Sequence, residues 1–422
     1  MWIKGGRIID PATKRDFIGD IEVEEGVIRG IHQDGKSAKK SECIDARDKW
    51  VIPGLIDMHV HFREPGFEYK EDIYTGSMAA AAGGVTTTVC MANTRPVNDN
   101  PSVTGYIMKK VADAGLIRVL PAGAATKNME GKELSEMGLM KNAGIIAVSD
   151  DGNPIESAAM MRRALQYAST FGLPLMSHCQ DKTLSGKGVM NESELSSRLG
   201  LPGIPNIAED VMVARDIAIS AELGIPIHIT HVSTHGSISI IRDAKKSGVP
   251  ITCDVTPHNL LLNEERARTY DSNAKMYPPL RSETDRLALI ECLRHGVIDC
   301  IATDHAPHSK DEKDLDFDLA PFGVIGLQTL LPALLKIHFD HGIPLFDILA
   351  MVTINPAHIL GIDGGRLEKG GRADITIVDP DAEWTLSEDM IVSKSRNSPF
   401  LGWQFKGRVM TTIASGRIVY SA

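Results

Sequence analysis

The sequence predicts an α/β protein: a (β/α)8 barrel of the TIM type carrying a small composite β domain made from the two ends of the chain. Three observations predict it. Eight short apolar runs rich in β-branched residues recur between about Val51 and His305, each closed by a polar or Gly/Pro turn and many followed by a helical pattern. Both ends are β-rich instead. IKGGRIIDP near the start and IASGRIVYS near the end are loosely alike, as two segments of one sheet would be.

Taken in order, residues 1–50 supply the short strands GGRIID, GDIEVEEGVIRGI and ECIDARDKW. The barrel is expected over 51–363, from the runs VIPGLIDMHVHF, GVTTTVCMA, IRVLPAGAA, IIAVSD, LPLMSHC, PIHITHVS, VPITCDVTP and DCIATDHAP. Helices are expected over 101–115, 155–171, 209–223, 236–247 and 283–294, with a further helical stretch from 324 to about 360. Residues 364–422 return to strands in RADITIVDP, GRVMTTIAS and GRIVYS and complete the β domain.

Composition narrows the function. With 45 Lys and Arg against 55 Asp and Glu the net charge is −10, and the basic residues are scattered, which argues against nucleic-acid binding. No apolar stretch is long enough to span a bilayer and no secretory leader is evident, so a cytoplasmic location is expected. Six cysteines without CxxC spacing suit buried reduced thiols.

The chemistry collects at strand ends. His59 and His61 are two apart, so an extended strand sends both side chains to one face, where they can chelate a single divalent ion. The fourth run ends in Asp150 and Asp151, the fifth in His178, the sixth in His231 and the eighth in Asp304. In a barrel these termini share one mouth. His228, three before His231, is expected on the opposite face, toward the helices. Nitrogen and oxygen donors without thiolate suit zinc. Arg63, two after His61, faces the same mouth and can grip a carboxylate.

PGLIDMHVHFREPG, TTTVCMANTRP, SDDG, SHC, ITHVST, KMYPPLR and CIATDHAPH together resemble the cyclic-amide branch of the amidohydrolase superfamily, and within it the dihydroorotase family of the longer bacterial and archaeal type. The likeness runs over nearly the whole chain, SKSRNSPFLGW near residue 400 included. It implies one or two zinc ions and reversible interconversion of L-dihydroorotate and N-carbamoyl-L-aspartate in pyrimidine synthesis. Carried over by position, His59, His61 and Asp304 would hold one ion, His178 and His231 a second, and Asp151 would bridge them. Many relatives bridge with a carboxylated lysine, but GIIAVSDDG contains none.

Asp304 would take the proton of the attacking water and return it to the leaving nitrogen. The resemblance assigns substrate contact to Arg63, Asn93, His308 and the main chain of Phe322 and Gly323. Tyr277 stands where the family usually has a substrate-binding asparagine, and His258 is a candidate for support behind the ligands. Ser309 to Gly323 resembles a mobile lid. Two other readings accompany this one: a hydantoinase or allantoinase acting on another cyclic ureide, and a silent scaffold for aspartate transcarbamoylase. Self-association into a homo-oligomer is a further expectation.

Overall fold

Alternating burial along the terminal strands accounts for how the two ends of the chain meet. The computed structural model describes residues 1–33 and 43–422. Its largest sheet runs in the order Arg417–Ser421, Gln404–Ala414, Ile375–Thr385, Trp50–Pro53, Trp2–Asp10, Arg15–Glu24, Val27–His32, with Cys43–Asp45 pairing parallel to Trp2–Asp10. N- and C-terminal segments join where Trp50–Pro53 pairs antiparallel with Ile375–Val378. Side chains on successive positions leave opposite faces. Ile8, Val51 and Ile377 fill a core within the β domain, while their neighbours Ile9, Ile52 and Val378 pack against the barrel.

The first apolar run is therefore shared between two sheets. Trp50–Pro53 belongs to the terminal sheet, Leu55–Val60 is the first barrel strand, and Gly54 lies between them. Its amide donates to Asp374 O at 2.9 Å, and a Cβ there would lie 2.3 Å from Thr86 Oγ1, so only glycine passes this close.

Barrel strands 1 to 4 (Leu55–Val60, Val85–Cys90, Arg118–Gly123, Ala147–Val148) form one parallel sheet, and strands 5 to 8 (Met176–Ser177, Ile227–Ile229, Ile251–Val255, Cys300–Ile301) form another. Single parallel bridges, Val148 to Leu175 and Val60 to His305, close the ring. The barrel is distorted because strands 4, 5 and 8, at the seams, are two residues each. Ile56, Met58, Val89, Met91, Ala122, Ala147, Met176 and Cys300 plug the interior, and helices on the outside bury the other faces. The expected helices are Pro101–Ala114, Ala158–Thr170, Ile207–Leu223, His235–Lys246 and Glu283–Arg294. The 324–360 stretch is broken into Leu330–His341, Leu345–Ala350 and Ile354–Leu360.

His228 corrects the sequence reading. It lies opposite the interior residue Met176 and bonds to Asp254 Oδ2 at 2.9 Å and Thr252 Oγ1 at 2.8 Å, so it faces into the barrel. Strict alternation fails because His231 adopts a φ of 37°, which turns its side chain inward as well. Five of the six cysteines are buried thiols, as expected. Among the described residues no helix is long and apolar enough to cross a membrane.

Candidate active site

A bulge sets the first two candidate ligands. Between Asp57 and Val60, strand 1 carries one residue more than its partner, so Met58 in the interior plug is followed directly by His59, also turned inward. Asp57, fully buried, accepts from the His59 amide and from the Thr303 amide and hydroxyl, tying strand 1 to the segment that carries Asp304. Burial pushes the Asp57 carboxyl up to about 6. Asp254, on strand 7, ties in the end of strand 6 by accepting from the His231 amide at 2.7 Å. Arg63, His231 and Asp304 have φ of 61°, 37° and 48°. Left-handed backbone at non-glycine residues costs about 1–3 kcal/mol each and collects where function positions side chains.

The six strand-end side chains converge. His61 Nε2 lies 2.9 Å from Asp304 Oδ1 and 3.4 Å from Asp151 Oδ2, and His59 Nε2 lies 3.3 Å from Asp151 Oδ1 and 3.6 Å from Asp304 Oδ1. On the other side of Asp151, His178 Nδ1 and His231 Nε2 each stand 3.3 Å from its Oδ1 and 2.9 Å from one another. Two donor triads result, His59, His61, Asp151 and Asp151, His178, His231, with Asp151 common to both. Asp150, its neighbour, instead accepts from the Ala125 and Thr126 amides and supports the loop.

This donor set fits a divalent cation. His59 Nε2, which faces Asp151 and Asp304, is buried without a hydrogen-bond partner among the described residues, a costly state for a group that gains nothing else from burial. Burial opposes charge on His59, yet Asp151 and Asp304 outweigh it and raise its pKa to about 10. Burial likewise opposes charge on Asp304, but the hydrogen bond from His61 and the charge of His59 hold its carboxyl at about 2. The field at this point calls for positive charge.

Asn93 is placed for more than the substrate contact expected of it. Its Oδ1 lies 2.9 Å from His61 Nδ1, so it takes that N–H and leaves Nε2 bare toward Asp151 and Asp304, as a metal-binding nitrogen would need to be. It also borders a cleft of about 480 Å³ above the ligands, lined by His61, Arg63, Asp151, Tyr277, Asp304 and His308 among others. Tyr277 stacks on His178 with ring centroids 5.2 Å apart and planes at 22°, and meets Phe322 at 5.0 Å. His258 is buried near Asp304 and His231, and burial lowers its pKa to about 4, which keeps it neutral.

The 309–323 segment roofs the cleft and is fastened by groups the sequence did not reveal. Buried Lys313 donates to Pro321 O at 3.1 Å and Gly323 O at 3.0 Å, and Lys275 donates to Phe317 O at 2.7 Å. Phe317 and Phe322 pack with Val189, Met190 and Leu195 of an excursion between strands 5 and 6 that includes the paired stretches Met190–Asn191 and Gly203–Ile204. From that excursion Ser185, Gly186 and Gly188 also line the cleft. Their only sequence signal is a glycine-rich turn. Phe322 O accepts from His308 Nε2 at 2.8 Å and the Gly323 amide donates to Lys275 O at 3.0 Å.

Residues 50–419 match the model of the amidohydrolase family, and the chain belongs to that family. Within it the chain is 50% identical over 418 residues to a protein named dihydroorotase from Geobacter metallireducens, covering 99% of each. It is 49% identical over 420 residues to another of that name from Geotalea daltonii, covering 100% of this chain and 99% of the relative. Among solved structures, the L-hydantoinase (dihydropyrimidinase) of Arthrobacter aurescens superposes with a TM-score of 0.88 at 24% identity, covering 100% of this chain and 96% of that one. The dihydropyrimidinase of Brevibacillus agri gives 0.86 at 21% identity over 100% and 95% of the chains. These structural likenesses bear out the barrel with its β domain.

Proposed function

We propose that this chain acts as a dihydroorotase, interconverting L-dihydroorotate and N-carbamoyl-L-aspartate in pyrimidine formation, in the cytoplasm and with zinc as its ion. The observation that carries the reading is a full-length identity of about half with dihydroorotases, in a chain whose cleft sets a guanidinium and an imidazole beside two donor triads that share Asp151, with Asp304 against the first. His59, His61 and Asp304 would hold one ion, His178 and His231 a second, with Asp151 between. A bound divalent ion supplies Lewis acidity toward the ring carbonyl and toward water.

The chain's own residues do the rest. Asp304 Oδ1 is engaged by His61, while Oδ2 makes no hydrogen bond among the described residues; that oxygen accepts the water proton and passes it to the ring nitrogen as the ring opens, and closure runs the transfer backward. Arg63, anchored by its Nε on Pro307 O at 3.2 Å, keeps its charge although burial lowers its pKa to about 10, and binds the ring carboxylate. His308 and the free amide of Asn93 add donors. Of the main-chain groups at Phe322 and Gly323, the Phe322 amide alone is unpaired among the described residues, so ring contact from this segment falls to it. Tyr277 forms the wall where its ring covers His178.

Turnover of dihydroorotate, hydantoin and allantoin, measured on one preparation with its metal content, tests the reading. Dihydroorotate is expected to be turned over by orders of magnitude faster than the others, with zinc bound; preference for hydantoin or allantoin overturns it, and a metal-replete chain inert on all three points to a scaffold. Sedimentation of the chain alone and with aspartate transcarbamoylase tests the expected association.

A further inference from the structure

His308 borders the cleft with one ring nitrogen and is buried behind it with the other. Its two shortest polar contacts agree on one protonation state. Phe322 O, 2.8 Å from Nε2, can only accept, so Nε2 carries the hydrogen. Lys70 Nζ, 3.2 Å from Nδ1, can only donate while charged, so Nδ1 is the bare nitrogen. Arg63 NH2, at 3.4 Å from Nε2, also only donates and would need that nitrogen bare; it is the longest of the three contacts, and the 2.8 Å bond to Phe322 O outweighs it.

Lys70 is held for this task. It is 9% exposed, its Nζ lies 2.8 Å from Glu312 Oε1 and 5.5 Å from the ring centroids of both Phe67 and Tyr69, and its carbonyl accepts from Ser395 Oγ. The charged groups facing His308 are Arg63, Lys70 and Lys313, with Glu312 Oε2 at 3.6 Å from Nδ1. Burial first, and then the charges of Arg63 and Lys70, keep the His308 pKa far below the ordinary histidine value.

We propose that Lys70 is a positioning residue that fixes His308 as a neutral Nε2–H donor, which exchanges Phe322 O for the carboxylate of the substrate. The proposal rests on the reading that this cleft binds a ring carboxylate beside Arg63. Lys70 makes no contact with the reacting atoms; it acts by occupying the one lone pair through which His308 could take a second proton or change tautomer. The donor thereby stays constant across the pH range in which a free histidine would titrate.

The test combines Lys70→Met, Lys70→Arg, His308→Gln and the Lys70→Met/His308→Gln double variant. In Lys70→Met, KM for dihydroorotate is expected to rise about tenfold or more near pH 8, the usual cost of losing a hydrogen bond to a charged group, with kcat kept within about threefold. The rise should shrink toward pH 5.5, as the freed Nδ1 takes up a proton. Lys70→Arg should restore most of the loss, and the double variant should be no worse than His308→Gln alone. A Lys70→Met protein with KM within twofold of wild type overturns the proposal, as does a pH-independent rise that adds in full to that of His308→Gln.

Nitrogen-15 NMR of histidine-labelled protein, with His308→Gln marking the signal, reads the tautomer without substrate. Wild type should show neutral, Nε2-protonated His308 down to acid pH, Lys70→Arg should retain it, and Lys70→Met should lose it by tautomer exchange or by taking up a proton at milder pH; any other state in wild type, or an unchanged signal in Lys70→Met, overturns the proposal. A wild-type chain inert toward dihydroorotate removes the functional reading instead, and the NMR result still decides whether Lys70 governs His308.

Discussion

Removing the Asn93 side chain isolates what a single outer hydrogen bond contributes to the ligand set. In Asn93→Ala the His61 Nδ1–H loses its acceptor at 2.9 Å inside a pocket where His61 is 4% exposed. A buried donor left without a partner costs about 1–3 kcal/mol, and part of that cost is avoided if the ring turns away from its ligand pose. Outer partners of metal-binding histidines are worth about 10- to 100-fold in metal affinity, and that is the loss we expect. Metal-free protein titrated with zinc against a competing chelator reads it directly, with no substrate present. Asn93→Asp, which keeps the acceptor, should retain affinity within a few-fold. An Asn93→Ala protein that binds zinc within twofold of wild type would refute the claim that Asn93 orients His61.

Asp151→Ala should abolish stoichiometric binding of two ions and lower turnover by more than about hundredfold, beyond the cost of an outer partner, because both triads share this residue; elemental analysis alongside turnover checks it. Gly323→Ala places a Cβ 2.7 Å from Ala306 Cβ and 2.9 Å from Ala306 O at a φ of 132°, so we expect destabilisation of about 1–3 kcal/mol by urea unfolding, together with a raised KM. Burial, aided by Lys275, lowers the Lys313 pKa to about 7. The unfolded chain, with its lysine near 10.4, then binds more protons than the native one between these values, so the native state gains stability as pH rises through that window. Wild type relative to Lys313→Met should therefore strengthen from pH 7 to pH 10 in urea melts; a constant difference would contradict the lowered pKa of the buried amine.

What could be read from the sequence was what local rules govern. Period-2 and helical patterns locate strands and helices because each element buries its own face, and ligand residues at strand ends meet because a parallel barrel brings those ends to one mouth. His228 was misplaced because alternation was extended past a residue with left-handed backbone, and nothing in THVS reveals that φ. Asn93 was expected at the substrate, whereas its hydrogen bond to His61 joins residues 32 apart and exists only once strands 1 and 2 are packed. Nothing in the sequence around Lys70, Lys275 and Lys313 marks them for burial. Their burial depends on contacts between the roof segment, the loop after strand 1 and the stretch near residue 275, which no local pattern encodes.

The short stretch Trp50–Pro53 is gripped on one side by Arg7 and Ile8 and on the other by Ile375 to Val378, and one residue later the chain enters the strand that bears His59 and His61. The C-terminal strands thus splint, from a distance, the root of the strand that carries two of the candidate ligands. A protein shortened at its C-terminus would expose a raw sheet edge there, and the first sign of damage would be a slackened grip on the ion.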